Sequence, residues 1–148
     1  MPVAPALRSR LEREVARLRP AVERLSRALH RKAELSLEEA GSVRLLTRFL
    51  EKEGFRVRRG AAGLPTAFVA RKRLGRGGAR IALLAEYDAL PGIGHACGHN
   101  LIGAASAGAG AALGRVLDGR AGEILVVGTP AEETIGGKVL MTERGVFK

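Results

Sequence analysis

The sequence has few of the residues that build disulfide frameworks or aromatic cores. Among 148 residues there is one cysteine, one tyrosine, four phenylalanines and no tryptophan. A single cysteine excludes a disulfide within the chain and is typical of a reducing compartment, so we expect a cytoplasmic protein. Charged residues precede any apolar run, which predicts no secretory signal. The hydrophobic fraction of 46% excludes a disordered tail and indicates a core of Leu, Val, Ile and Ala.

Acidic residues are scarce in the first part of the chain. Residues 1–80 contain 20 Lys and Arg against 8 Asp and Glu, whereas residues 81–148 contain 5 against 7. Basic proteins can bind nucleic acid through its phosphates, but this sequence lacks aromatic stacking platforms and any recognised nucleic-acid-binding motif. Nucleic-acid binding is therefore the weakest of our functional hypotheses, and we expect most of this charge to lie on solvated surface.

Hydrophobic periodicity predicts two helices near the start of the chain. Apolar residues recur at spacings of three and four from Leu7 to Leu29, and Pro20 is expected to kink or split that helix. The segment 36–39 has the pattern of a capping box, which would open a second helix that stops at Gly54. Residues 55–57 and 66–70 are short strand candidates.

Two later apolar runs predict strands buried on both faces, at Ile81–Ala85 and Ile124–Val127. A basic hairpin or loop precedes the first, and an Ala/Gly-rich helix over 101–117 separates the two. This alternation predicts an α/β fold with a mixed, largely parallel sheet flanked by helices. Residues 89–114 carry no charge, but their proline, histidines and small residues argue against a membrane span.

A polar cluster follows each of these two strands. The first contains Glu86, Asp88, His95, Cys97 and His99, and the second ends in Glu132 and Glu133. Ligands of open α/β sheets bind at the carboxyl ends of the strands, so both clusters would open into one crevice. A thiolate, which a following helix N-terminus would favour, an imidazole and carboxylates are the donors of a metal site.

Each candidate also has a structural interpretation. Cys97 could be a small buried hydrophobe, Asp88 a turn residue, and the histidines hydrogen-bonded core residues. Thr129–Glu132 has the pattern of another capping box, which would occupy Glu132. Residue spacing alone leaves both interpretations open. No dinucleotide-binding or phosphate-loop motif is complete.

The segments Glu86–Asn100 and Gly128–Glu133 closely resemble the metallopeptidase and amidohydrolase family of aminoacylases, carboxypeptidase-G-type enzymes and hippurate hydrolases. The aminoacylase-like dipeptidases look nearest, and matches at His30–Glu39 and Leu64–Phe68 extend the resemblance over nearly the whole chain. The resemblance implies hydrolysis of an amide bond in a small-molecule dipeptide or N-acyl amino acid. It also implies two divalent metal ions, zinc or manganese, in the complete enzyme.

Residue roles can be carried over from the family position by position. The resemblance implies that Cys97, His99 and Glu133 are metal ligands, that Glu132 is the general base, and that Asp88 orients a ligand. His95 matches a motif position without a ligand role. Ile135 departs from the family pattern, which usually has glycine just after the carboxylate pair.

The family's chains are much longer and contain further ligand histidines and a lid or dimerisation domain. By this resemblance, we expect residues 1–148 to be an incomplete N-terminal portion of a catalytic domain, inactive alone, and the complete enzyme to be a homo-oligomer. A competing hypothesis is a non-catalytic remnant that binds metal weakly or binds a protein partner through an uncovered sheet edge.

Overall fold

The computed structural model describes residues 3–147, which form one four-stranded sheet with helices packed on it. The helices are α1 (Pro5–Lys32), α2 (Ala40–Lys52), α3 (His99–Val116) and α4 (Gly137–Glu143), with a short 3-10 turn at Ala61–Gly63. The strands are β1 (Arg56–Arg59), β2 (Phe68–Arg73), β3 (Arg80–Ala85) and β4 (Glu123–Gly128). The predicted α/β class is confirmed.

The strands lie in the order β1-β2-β4-β3. Strands β3 and β4 pair in parallel, as predicted, whereas β2 pairs with β4 and β1 with β2 in antiparallel fashion. Because β4 lies between β2 and β3, the basic segment that joins those two strands is a loop and not a hairpin.

Strand β4 is buried along its whole length, but the same prediction for β3 is wrong. Ile81 and Leu84 are 46% and 38% exposed. The reason is position in the sheet: β3 has β4 on one side and no strand on the other within the described residues. Its apolar side chains therefore form part of an open edge.

Helix α1 runs without interruption through Pro20, so the predicted split is wrong. Pro20 removes the hydrogen bond to the carbonyl of Ala16, but both residues lie on the exposed face of the helix, where water can satisfy that carbonyl. The buried face, which includes Leu18, Leu25 and Leu29, points to the core. Within the described residues, no helix is long and apolar enough to cross a membrane.

The predicted capping box of α2 does not form. The helix begins at Ala40, and the Glu34 carboxylate accepts hydrogen bonds from the backbone N–H groups of Gly41 (2.9 Å) and Ser42 (2.7 Å). A carboxylate at this end satisfies free N–H groups and complements the helix dipole. Ser36, the expected cap, donates instead to Asp88 Oδ2 at 3.0 Å. The loop before α2 therefore contacts the second half of the chain.

Helix α3 packs closely on the sheet because its contact face is made of small residues. A Cβ atom at Gly103 would lie 2.6 Å from the backbone oxygen of Glu86, just after β3. A Cβ atom at Gly108 would lie 2.7 Å from Val22 of α1. The two glycines allow α3 to approach both neighbours, and this places its first residue, His99, beside the ends of the strands.

Candidate metal centre

Three predicted ligands meet at the carboxyl ends of β3 and β4. Cys97 Sγ, a ring nitrogen of His99 and a carboxylate oxygen of Glu133 lie within 4.8 Å of one another. Cys97 lies in the loop after β3, His99 opens α3, and Glu133 follows β4. Because β3 and β4 are parallel neighbours, the segments that follow them emerge at the same edge of the sheet.

Asp88 fixes the orientation of His99. Its side chain is fully buried, and its Oδ1 lies 2.9 Å from His99 Nδ1, while its backbone oxygen lies 3.0 Å from the same nitrogen. Both neighbours are acceptors, so Nδ1 carries the proton and Nε2 has a free lone pair. Asp88 Oδ2 also accepts hydrogen bonds from Ser36 and from the backbone N–H of Glu133 at 3.1 Å. One buried carboxylate therefore connects two of the three donors, as partners of metal-ligating histidines commonly do.

The adjacent residues Glu132 and Glu133 lie in different surroundings. Glu133 Oε1 is 3.4 Å from His99 Nε2, whereas Glu132 Oε1 is 3.0 Å from the ammonium nitrogen of Lys138. The other oxygen of Glu132 is buried and has no hydrogen-bond partner among the described residues. Glu132 thus offers a free acceptor beside the cluster of donors.

The capping-box interpretation of Thr129–Glu132 is wrong. No helix begins there, because α4 starts only at Gly137. The Thr129 hydroxyl donates to the backbone oxygen of Ala85 at 3.2 Å, which joins the ends of β3 and β4. Ala131 has a φ of 57°, in the left-handed region, and its N–H donates to the buried Glu39 carboxylate at 2.9 Å. The loop that carries both glutamates is therefore held from two sides.

Two residues of this region, Glu86 and Lys138, had no role in the site predicted from sequence. Glu86 Oε2 lies 3.1 Å from His99 Nε2, and Lys138 donates a hydrogen bond to Glu86 Oε1. Partial burial would lower the pKa of Lys138, but its hydrogen bonds to Glu86 and Glu132 outweigh that effect and raise the pKa. The only available indication was a lysine shortly after two adjacent glutamates.

The Cys97 thiol is not activated by its surroundings alone. Burial raises its pKa, and the negative charges of Glu133 and Asp88 raise it further, while the backbone N–H of His99 opposes them. The expectation that the N-terminus of α3 would by itself favour a thiolate is therefore wrong. A cation among these donors would reverse the balance, because it favours the charged form of each.

His95 lies outside the group of converging donors. Its Nε2 is 3.2 Å from the backbone oxygen of Leu29, and its ring lies 6.2 Å from that of His30. Burial lowers the pKa of His95, which favours the neutral ring. These contacts join the polar loop to the end of α1.

The donor set fits a divalent metal. One sulfur, one imidazole nitrogen and one carboxylate oxygen are donors that zinc accepts, and three protein ligands leave a position open for water. The partner of His99 Nδ1 is a buried carboxylate, as second-layer contacts at metal sites usually require.

Comparison with known proteins agrees with this chemistry. No family model matches the chain. Over 151 residues the chain is 42% identical to Xaa-Arg dipeptidase from Mus musculus, a match that covers 92% of this chain and 35% of that protein. Over 133 residues it is 38% identical to one of the subunits of p-aminobenzoyl-glutamate hydrolase from Escherichia coli, which covers 77% and 27% of the two chains.

A solved structure shares the fold. It is a dinuclear metal binding peptidase of the M20 family from Bacillus subtilis, with a TM-score of 0.78 and 27% identity over 93% of this chain and 41% of that one. This chain spans about a third of the length of its curated relatives. With fold and sequence in agreement, the chain belongs to the metallopeptidase and amidohydrolase family that these M20 peptidases and dipeptidases represent.

Proposed function

We propose that this chain provides part of the active site of a metal-dependent amidohydrolase, in which Cys97, His99 and Glu133 hold a divalent metal ion. The observation that carries the proposal is the convergence of their donor atoms within 4.8 Å at the ends of two parallel strands. The proposed substrates are dipeptides or N-acyl amino acids, by similarity to the dipeptidase and the aminobenzoyl-glutamate hydrolase.

The surrounding residues would divide the chemical work. A bound divalent cation would polarise the substrate carbonyl and lower the pKa of a water molecule. Asp88 keeps the proton on His99 Nδ1, so that Nε2 remains a donor to the metal. Glu132, with its unpaired buried oxygen, would take the proton from the attacking water and deliver it to the leaving nitrogen.

A centre with two metal ions would need residues beyond this chain. Three donors suffice for one metal ion with an open position, but two ions need more ligands. Because the chain matches about a third of the dipeptidase, we propose that further ligands and a lid or dimerisation domain belong to sequence outside it. On this basis residues 1–148 alone would not hydrolyse the substrate, and the complete enzyme would be a cytoplasmic homo-oligomer.

Metal binding by the 148-residue chain tests the proposal. After dialysis against zinc or manganese, we expect about one equivalent of metal by elemental analysis, because three donors form one site. Cys97→Ser should lose most of it, whereas His30→Asn, which alters an exposed histidine outside the donor group, should keep it. Unchanged metal content in Cys97→Ser would overturn the assignment.

A further inference from the structure

One lysine bridges two carboxylates beside the candidate metal centre. Lys138, in the first turn of α4, donates to Glu86 and lies 3.0 Å from Glu132 Oε1. All three side chains are partly buried, which strengthens their mutual attraction relative to a surface pair. Glu86 comes from the loop after β3 and Glu132 from the loop after β4, so this ammonium group joins the two loops that carry the donors.

The position of Glu86 makes this bridge significant. Its free oxygen, Oε2, lies 3.1 Å from His99 Nε2, closer than Glu133 Oε1 at 3.4 Å. By distance alone, Glu86 is as well placed as Glu133 to reach a cation held by His99. Glu132 is the chain neighbour of Glu133 and ends on the same loop. Carboxylates at this edge therefore outnumber the one that the proposed site needs as a ligand.

We propose that Lys138 is a positioning residue that keeps Glu86 and Glu132 out of the metal's coordination, and so fixes Glu132 as base and Glu133 as ligand. The inference rests on the proposed metal centre. Charge-assisted hydrogen bonds to an ammonium occupy one oxygen of each restrained carboxylate and hold it away from the donors. Among the described side chains, Glu133 pairs only with the neutral acceptor side of His99, so it remains free to bind.

Removing the charge of Lys138 should therefore change the coordination number of a bound metal. In Lys138→Met, Glu86 or Glu132 is released and can enter the coordination sphere. An added carboxylate and the loss of a neighbouring positive charge both favour a cation, so we expect the Kd for the metal to fall about tenfold. Affinity alone does not separate these two causes, but coordination number does.

Cobalt(II) is a suitable probe because its absorption reports both the ligands and their number. In the 148-residue protein, Co²⁺ bound to Cys97 should give a thiolate charge-transfer band and the intense d–d bands of a four-coordinate ion. Lys138→Met should keep the charge-transfer band and weaken the d–d bands, as expected when ligands are added. Lys138→Arg, which keeps the positive charge, should resemble the wild-type protein. If Lys138→Met does not fold by circular dichroism, Lys138→Gln provides the same neutralisation with a polar side chain.

Two double variants identify the carboxylate that enters. If it is Glu132, Lys138→Met with Glu132→Gln should restore the intense d–d bands, and Lys138→Met with Glu86→Gln should restore them if it is Glu86. Failure of both would overturn the inference, as would d–d bands in Lys138→Met that equal those of the wild type. A wild-type spectrum without a Cys97-dependent charge-transfer band would instead overturn the metal centre itself, and the inference with it.

Discussion

Glu132 and Glu133 are neighbours in the chain, but their carboxylates have different partners. Glu133 faces His99, and its backbone N–H is held by Asp88, whereas Glu132 is paired with Lys138. Two adjacent carboxylates without such partners would repel each other and compete for the same proton or cation. The different contacts give each glutamate its own chemical role.

Glutamine substitutions should separate these two roles. Glu133→Gln should weaken zinc binding by at least about tenfold, because an amide oxygen is a poorer ligand than a carboxylate. Glu132→Gln should leave zinc binding nearly unchanged, because it alters a proton acceptor and not a ligand. Competition with a chromophoric chelator measures both constants. Equal losses in the two variants would show that the division of roles is wrong.

Glu39 is a second residue whose environment has a measurable consequence. Its side chain is fully buried, and burial raises its pKa even though the N–H of Ala131 and other backbone groups oppose the shift. The folded protein therefore holds this proton more tightly than the unfolded chain does. As pH rises from the unfolded pKa of about 4.3, the unfolded state loses the proton first, and stability decreases.

Glu39→Gln should remove that pH dependence. Relative to the wild type, the variant should gain free energy of unfolding as the pH rises through the interval between the unfolded and folded pKa values of Glu39, and keep that gain above it. Urea denaturation of both proteins at several pH values from mildly acidic to slightly alkaline measures the difference. A gap between the two proteins that does not change with pH would contradict a raised pKa for Glu39. Glu38→Gln, at the exposed neighbouring position, is the matched control.

At the scale of elements, the approach of α3 to the end of β3 positions His99. In Gly103→Ala, the new methyl group would lie 2.6 Å from the backbone oxygen of Glu86, and a backbone atom cannot move aside easily. We expect a loss of about 1–3 kcal/mol in the free energy of unfolding, despite the higher helix propensity of alanine. Zinc affinity should also fall, because His99 lies one turn before the strained contact.

Gly108→Ala provides the comparison within the same helix. Its methyl group would meet the side chain of Val22, far along α3 from His99. That variant should lose stability by overpacking but keep its zinc affinity. Chemical denaturation and chelator competition measure the two quantities. An equal decrease in zinc affinity in both variants would show that α3 does not position the site through Gly103.

The elements that could be predicted well from sequence are those whose pattern is local. The small residues of α3 and the apolar run of β4 determine their own burial, and the segment from Glu86 to His99 holds most of the candidate site within a few turns of chain. The start of α2 was missed because Ser36 bonds to Asp88, a residue 52 positions away. Lys138 was missed for the same reason, since its partner Glu86 is also 52 positions away. Contacts of this kind depend on the sheet order, which local patterns do not contain.

At the scale of the whole molecule, the sheet has one polar and one apolar edge. Strand β1 is rich in arginine, which discourages pairing with another chain, whereas β3 exposes Ile81 and Leu84. The prediction that β3 is buried on both faces reflected its composition, which suits an internal strand. That composition at an open edge favours pairing with another strand.

We therefore expect the 148-residue protein to self-associate through β3. Ile81→Lys should shift the protein toward the monomer, because a lysine on an edge strand must lose its hydration when a second strand pairs there. Light scattering coupled to size-exclusion chromatography, over a series of dilutions, measures the shift. Val15→Lys is the matched control, since Val15 is 53% exposed but lies on α1, away from the sheet edge. If both variants dissociated equally, general charge and not the β3 edge would govern association. If neither did, the protein would associate through another surface or remain a monomer with its edge in water.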